Sequence, residues 1–179
     1  MLDSCTELGR VRERLRGLGA ALEGEVFEED IYYQHPCRDF AETDEALRLR
    51  RAGGTVELTY KGPKRLVGGS KAREEVTVRV DPGEAERLDR LLDRLGFRRA
   101  ARVAKRREYY RLGSVSVSLD EVEGLGCFVE IEYRGGGGVE EASRSIEEAA
   151  ERLGLRGKPR VYKSYLELLL ERSRSTMRG

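Results

Sequence analysis

Phe128-Val129-Glu130-Ile131-Glu132-Tyr133-Arg134 alternates apolar and charged residues, the pattern of a strand with two unlike faces. Val129, Ile131 and Tyr133 share one face. Glu130 and Glu132 share the other, with Phe128 and Arg134. Two carboxylates this close repel unless something positive lies between them. A divalent cation is one such partner, because hard oxygen ligands suit Mg2+ and Mn2+. A basic side chain on a neighbouring strand is another, and solvent is a third.

Working outward, the same alternation recurs. Residues 46–50 (ALRLR) set Leu47 and Leu49 against Arg48 and Arg50. Residues 55–61 (TVELTYK) set Val56, Leu58 and Tyr60 against Glu57 and Lys61. Residues 73–80 (REEVTVRV) set three valines against Arg73, Glu75 and Arg79. Residues 114–120 (SVSVSLD) carry Asp120 on their polar side, and 25–33 and 98–112 are also strand-like. Ser4-x-x-Glu7 reads as a capping box opening a helix, with Leu8, Val11, Leu15 and Leu18 as its stripe and Gly19 as its stop. Asp81-Pro82-Gly83-Glu84 opens a second helix, with Leu88, Leu91, Leu92 and Leu95 as the stripe and Gly96 as the stop. Further helices are expected over 139–153 and 164–173, and loops over 35–44, 62–70 and 135–138.

The chain repeats itself. A shift of 77 residues carries Leu15, Leu18, Gly19, Val26, Tyr32 and Tyr33 onto Leu92, Leu95, Gly96, Val103, Tyr109 and Tyr110 without a gap. It also carries Ser4 onto Asp81 and Glu7 onto Glu84. A shift of 73 carries Glu57, Tyr60 and Gly62 onto Glu130, Tyr133 and Gly135. These matches describe two copies of one βαβ-type half, about 1–72 and 73–179, within a single domain. The second half opens on a strand before its helix, whereas the first opens at its helix. The symmetry therefore leads us to expect an N-terminal strand that is missing from the sequence.

Composition narrows the function. With 179 residues, 39% hydrophobic, 37% charged and a net charge of +1, the chain can bury a core and is no polyelectrolyte. That balance argues against a nucleic-acid module, although residues 98–111 are rich in arginine. No apolar run approaches a membrane span and no signal-peptide core is visible, so a soluble, cytoplasmic protein is expected. Cys5, Cys37 and Cys127 are odd in number, far apart and without a C-x-x-C spacing. They read as buried or idle thiols, not as a disulfide framework or zinc site. His35 reads as a loop residue.

Nearly every strand places both charge signs on its polar face. A sheet with one face in water would show this. A sheet curled into a barrel with helices outside would instead enclose the charges, and buried charge must be matched by a ligand or water. A polyanion with a divalent cation fits such an interior, since arginine and lysine take phosphate oxygens while carboxylates hold the metal.

Six stretches then carry a family resemblance: HPCRDFAETDEALRLR (35–50), LTYKGP (58–63), KAREE (71–75), KRREYYRL (105–112), LDEVEGLGCFVEIE (119–132) and SYLELL (164–169). Together, and in this order, they resemble the CYTH superfamily of triphosphate tunnel metalloenzymes, most closely its class IV adenylate cyclase branch. The resemblance implies an α+β fold, a closed antiparallel β-barrel of two similar halves with helices packed outside. It implies that Arg48, Arg50, Lys61, Arg73, Lys105 and Arg107 hold a triphosphate, with Lys163 at the tunnel mouth. It implies that Asp120, Glu130 and Glu132 bind Mg2+ or Mn2+, and that Glu75 is a tunnel carboxylate. The family's N-terminal E-x-E-x-K strand is absent, the same strand that the repeat finds missing. No catalytic residue is assigned. The expected activity is adenylate cyclase, ATP to cyclic AMP and pyrophosphate. The alternatives are an inorganic or thiamine triphosphatase and a non-catalytic polyphosphate or nucleotide binder. A homodimer is left open.

Overall fold

In the computed structural model, which describes residues 2, 5–67 and 70–176, the opening stretch up to Tyr133 lies in a strand as its alternation demands. The elements in chain order are α1 (Thr6–Gly17), β1 (Ala21–Gln34), β2 (Ala46–Ala52), β3 (Thr55–Lys61), β4 (Arg65–Val67), β5 (Ser70–Ala72) and β6 (Glu75–Val80). A 3-10 turn (Pro82–Glu84) leads into α2 (Ala85–Arg94). Then come β7 (Arg98–Leu112), β8 (Val115–Val122), β9 (Gly126–Tyr133), α3 (Val139–Arg152) and α4 (Tyr165–Thr176).

Seven strands form one sheet in the order β6-β3-β2-β1-β7-β8-β9. β2 runs antiparallel to β1 and β3, β6 to β3, and β8 to β7 and β9. The architecture is α+β, as expected. The order ends at β6 and β9, so the sheet is not closed among the described residues. No strand precedes α1 among them, and the described contact there is Leu2 N–H donating to Cys127 O on β9 at 2.9 Å.

The chain divides into two compact units, one comprising Glu28–Ala104 and the other the residues up to Phe27 and from Lys105 onward. In the Glu28–Ala104 unit, Ile31, Tyr33, Leu47, Leu49 and Val56 pack with Ala85 and Leu92 of α2. In the other unit, Leu8, Val11 and Leu15 of α1 and Ala149 of α3 pack with Tyr110, Val115, Val117 and Leu119. Each leucine, isoleucine or valine among them contributes roughly 1.5–3 kcal/mol when fully buried, so these apolar faces fix which sheet face the helices cover.

The repeat is visible atom by atom at the helix ends. Leu18 N–H donates to Arg14 O, Gly19 N–H to Arg16 O and Ala20 N–H to Leu15 O. Leu95, Gly96 and Phe97 donate to Leu91, Asp93 and Leu92 in the same pattern. Gly19 and Gly96 take φ of 72° and 90°, a left-handed conformation that side chains resist. At the helix starts, Asp81 accepts from Gly83 N–H at 2.8 Å as expected. Ser4, the expected cap of α1, lies outside the described residues.

Two expectations need correction. Cys5 and Cys127 are joined in a disulfide, with their Cα atoms 5.2 Å apart. Spacing could not reveal this, because it depends on β9 starting beside the first turn of α1. Cys37 is free and exposed. The 62–70 loop includes β4 and the first residue of β5, which pair as a small hairpin. No helix among the described residues is long and apolar enough to cross a membrane.

Candidate functional site

The polar side of each unit carries an ion cluster built from strand alternation. In the Glu28–Ala104 unit, β1 and β2 pair so that Asp30 stands opposite Arg50 and Tyr32 opposite Arg48. Arg50 donates to both oxygens of Asp30, Nε to Oδ1 at 2.6 Å and Nη2 to Oδ2 at 2.7 Å. Its Nη2 also lies 3.2 Å from Glu28 Oε2. Glu28 and Asp30 are buried, and only this close matching with arginine makes buried carboxylates tolerable. Burial alone would lower the Arg50 pKa, but the Asp30 and Glu28 carboxylates outweigh it and raise it. Burial, then the Asp30 charge, raises the Tyr32 phenol above its ordinary value.

Arg48 is less well matched. Its Nη1 lies 3.9 Å from Asp30 Oδ2, and its buried Nε has no hydrogen-bond partner. A buried donor without an acceptor is costly, so this atom calls for one. At the end of β3, Lys61 faces Glu75 across the β3–β6 ladder, with Nζ 2.8 Å from Oε1. Burial lowers the Lys61 pKa despite that carboxylate, and the Arg48 and Arg73 charges lower it further.

The other unit repeats the arrangement with its signs exchanged. A shift of 77 carries Asp30 onto Arg107, and the β7–β8 register sets Arg107 opposite Asp120. Arg107 Nε donates to Asp120 Oδ1 at 2.6 Å, and its Nη2 donates to Asp120 Oδ2 and, at 2.5 Å, to Glu130 Oε2. Asp120 is fully buried. Tyr165, at the start of α4, donates its hydroxyl to Asp120 Oδ2 at 2.7 Å and packs against Phe128. Lys105 Nζ sits over the Tyr165 ring, 3.9 Å from Asp120 Oδ2. Burial and then the Asp120 and Glu130 charges push the Tyr165 phenol well up, so it acts as a neutral donor.

The clusters thus hold Arg48, Arg50, Lys61 and Glu75 in one unit, and Lys105, Arg107, Asp120 and Glu130 in the other. Arg73 is committed elsewhere, donating to the carbonyls of Gly62 and Asp44 at 2.9 and 2.8 Å. Glu132 pairs with Arg134 at 2.8 Å. Lys163 pairs with Glu171 at 2.6 Å and lines a cavity of about 570 Å³ that runs along β9 under α3 and residues 155–163. Sequence reasoning missed Glu28, Asp30 and Tyr165. The first two were legible as a second alternating acidic pair, Glu28-x-Asp30. Tyr165 was not, since its role depends on α4 meeting β8.

The described residues compose no cluster of three or more carboxylate, histidine or cysteine ligands for a metal. Asp120 spends its oxygens on Arg107 and Tyr165. Glu130 and Glu132, more exposed and on one strand face, fit only the mode in which Mg2+ takes one or two carboxylates and completes its shell with substrate phosphates.

The sequence profile of the CYTH domain matches residues 2–165. A Methanocaldococcus jannaschii protein named "Putative adenylate cyclase MJ0240" is 39% identical over 162 residues, spanning 89% of this chain and 90% of that protein. The structure of the PH1819 protein from Pyrococcus horikoshii OT3 superposes with a TM-score of 0.73 at 43% identity, covering 92% of this chain and 94% of that one. The Hippeastrum protein HpAC1, described as having a dominant triphosphatase activity, superposes with a TM-score of 0.71 over 95% of this chain and 92% of its own. At 19% identity, that likeness is one of fold.

Proposed function

Because the chain belongs to the CYTH domain family, we propose that it is a metal-dependent enzyme acting on a triphosphate substrate, and that it cyclises ATP to cyclic AMP and pyrophosphate. The observation that carries the reading is the buried, partnerless Nε of Arg48 beside the carboxylate-matched Arg50. A phosphate oxygen supplies the missing acceptor, and arginine meets phosphate with the planar fork it offers a carboxylate. The name of the 39%-identical relative supports the cyclase form.

In cyclisation the ribose 3′-oxygen bonds to the α-phosphorus, the bond to the bridging oxygen breaks, and pyrophosphate departs as the 3′-hydroxyl loses its proton. Arg48, Arg50, Lys105 and Arg107 are assigned to phosphate oxygens, where they offset the charge that builds on the leaving group. Asp30 and Asp120 hold Arg50 and Arg107 in place. Glu130 and Glu132 would hold Mg2+ or Mn2+, which would supply positive charge to the substrate's phosphates. The same residues would serve a triphosphatase, in which water attacks and phosphate leaves. This second reading is favoured by the absence, among the groups gathered here, of any that reads a nucleobase.

The test is to supply the purified chain with Mg2+ or Mn2+ and, separately, ATP, inorganic triphosphate and thiamine triphosphate, identifying every product. Cyclic AMP and pyrophosphate from ATP are expected. Phosphate released from the small triphosphates, with ATP untouched, replaces the cyclase by a triphosphatase. Bound but unaltered triphosphate would make the protein a binder.

A further inference from the structure

Asp44 is the one non-glycine residue among those described that takes a positive φ, 53°. Most side chains resist that conformation, and aspartate and asparagine tolerate it best. The residue lies where the chain turns into β2, and both its backbone and its side chain are used there. Its carboxylate Oδ2 accepts the Lys64 backbone N–H at 2.8 Å, with Lys64 Nζ 3.4 Å from Oδ1. Its carbonyl accepts from Arg73 Nη2 at 2.8 Å, and Arg73 Nε donates to Gly62 O at 2.9 Å. Gly62 N–H donates in turn to Glu74 O at 2.9 Å. Asp44 thus joins the start of β2, the turn after β3 and the approach to β6. Lys61, the last residue of β3, stands at this junction, with Ala46 of β2 and Glu75 of β6 as its register partners.

We propose that Asp44 is a positioning residue for Lys61, acting through the Lys64 backbone and Arg73; the inference rests on the triphosphate reading of the cluster to which Lys61 belongs. A lysine ammonium sits on a long flexible stem, so its place depends on how firmly its backbone is held. Strand pairing holds Lys61 from either side, but Gly62 follows it at once, and glycine leaves the chain free to swing. Asp44 removes that freedom by fixing the Lys64 N–H on the far side of the turn. Arg73, held by the Asp44 carbonyl, fixes the Gly62 carbonyl within it. The same guanidinium and Arg48 lie close enough to Lys61 to lower its pKa. The clip therefore holds Lys61 among the cations that would meet phosphate, with Glu75 as its present partner.

Two measurements on the folded full chain test this. First, Lys61 of the ligand-free protein is acetylated with acetic anhydride over a range of pH and its modification read by peptide mass spectrometry. Burial, with the Arg48 and Arg73 charges and against Glu75, lowers the Lys61 pKa, so its labelling midpoint should lie below that of an exposed lysine. Asp44→Gly keeps the left-handed backbone and the carbonyl that Arg73 uses but removes the carboxylate, and the midpoint should rise toward the ordinary lysine value. Asp44→Asn keeps the backbone and an acceptor for Lys64, and should leave the midpoint near the native one. Second, with Mg2+ present, Asp44→Gly should bind inorganic triphosphate roughly tenfold more weakly than the native chain. In a Lys61→Met background the same substitution should change little, whereas a merely structural loss would weaken both alike. An unmoved Lys61 midpoint in Asp44→Gly, failure of Asp44→Asn to keep it, or equal weakening with and without Lys61 would each overturn the proposal. A native chain that binds no triphosphate overturns the triphosphate reading instead, and the Lys61 midpoints then decide the positioning role by themselves.

Discussion

Arg107 shows how much rests on a single side chain. It gives both oxygens of the fully buried Asp120 a partner and reaches Glu130 as well. Replacing it with alanine leaves a buried carboxylate facing only Tyr165 and Lys105. Loss of one partner from a buried pair costs about 3–5 kcal/mol, so Arg107→Ala should lower stability to urea by that order. Arg107→Lys should recover part of the loss, since a lysine restores charge but not the two-pronged contact. Equal urea midpoints for Arg107→Ala and the native chain would refute this account of Asp120. At this scale the sequence is a good guide to partners on adjacent strands: alternation put Arg50, Asp120 and Glu130 on polar faces, and they are there. It is a poor guide where a helix brings in the partner, as with Tyr165.

Helix and strand meet through a polar pair on the apolar side as well. Arg12 of α1 donates from Nε to Glu108 Oε2 at 2.9 Å, and Tyr110 donates to the same carboxylate at 2.8 Å. The Arg12 hydrogen bond, working against burial, lowers the Glu108 pKa from its ordinary value. A carboxyl whose folded pKa is depressed adds stability that is present above its unfolded pKa and is lost as pH falls through the folded one. The native chain should therefore lose more urea stability between neutral and acid pH than Glu108→Gln does. Parallel pH profiles for the two proteins would show that the pair contributes nothing. The elements themselves were largely legible, because stripes at helical spacing and period-two alternation are local signals. The Cys5–Cys127 disulfide and the β4–β5 hairpin were not. One depends on residues 122 apart meeting, and the other is two three-residue strands, too short to show a period.

For the whole molecule, the internal repeat was the most informative feature of the sequence. It leads to an expectation of two similar halves, about 1–72 and 73–179; the helix-end hydrogen bonds recur at a shift of 77 residues, while the compact units divide instead at Glu28 and Ala104. What no repeat could show is the exchange of charge between the halves, Asp30–Arg50 in one and Arg107–Asp120 in the other. Closure of the sheet was expected from family resemblance and is not formed among the described residues, where β6 and β9 end the order. The central claim is that these ion clusters exist to receive a triphosphate, and Arg48 is its sharpest test. Inorganic triphosphate should be titrated calorimetrically into the native chain and into Arg48→Gln, with Mg2+ present and the fold of both checked by circular dichroism. A hydrogen bond to a charged group contributes about 1.5–3 kcal/mol, so the account predicts binding to the native chain and roughly tenfold or greater weakening in the variant. No binding to the native chain, or equal binding to both, would contradict it.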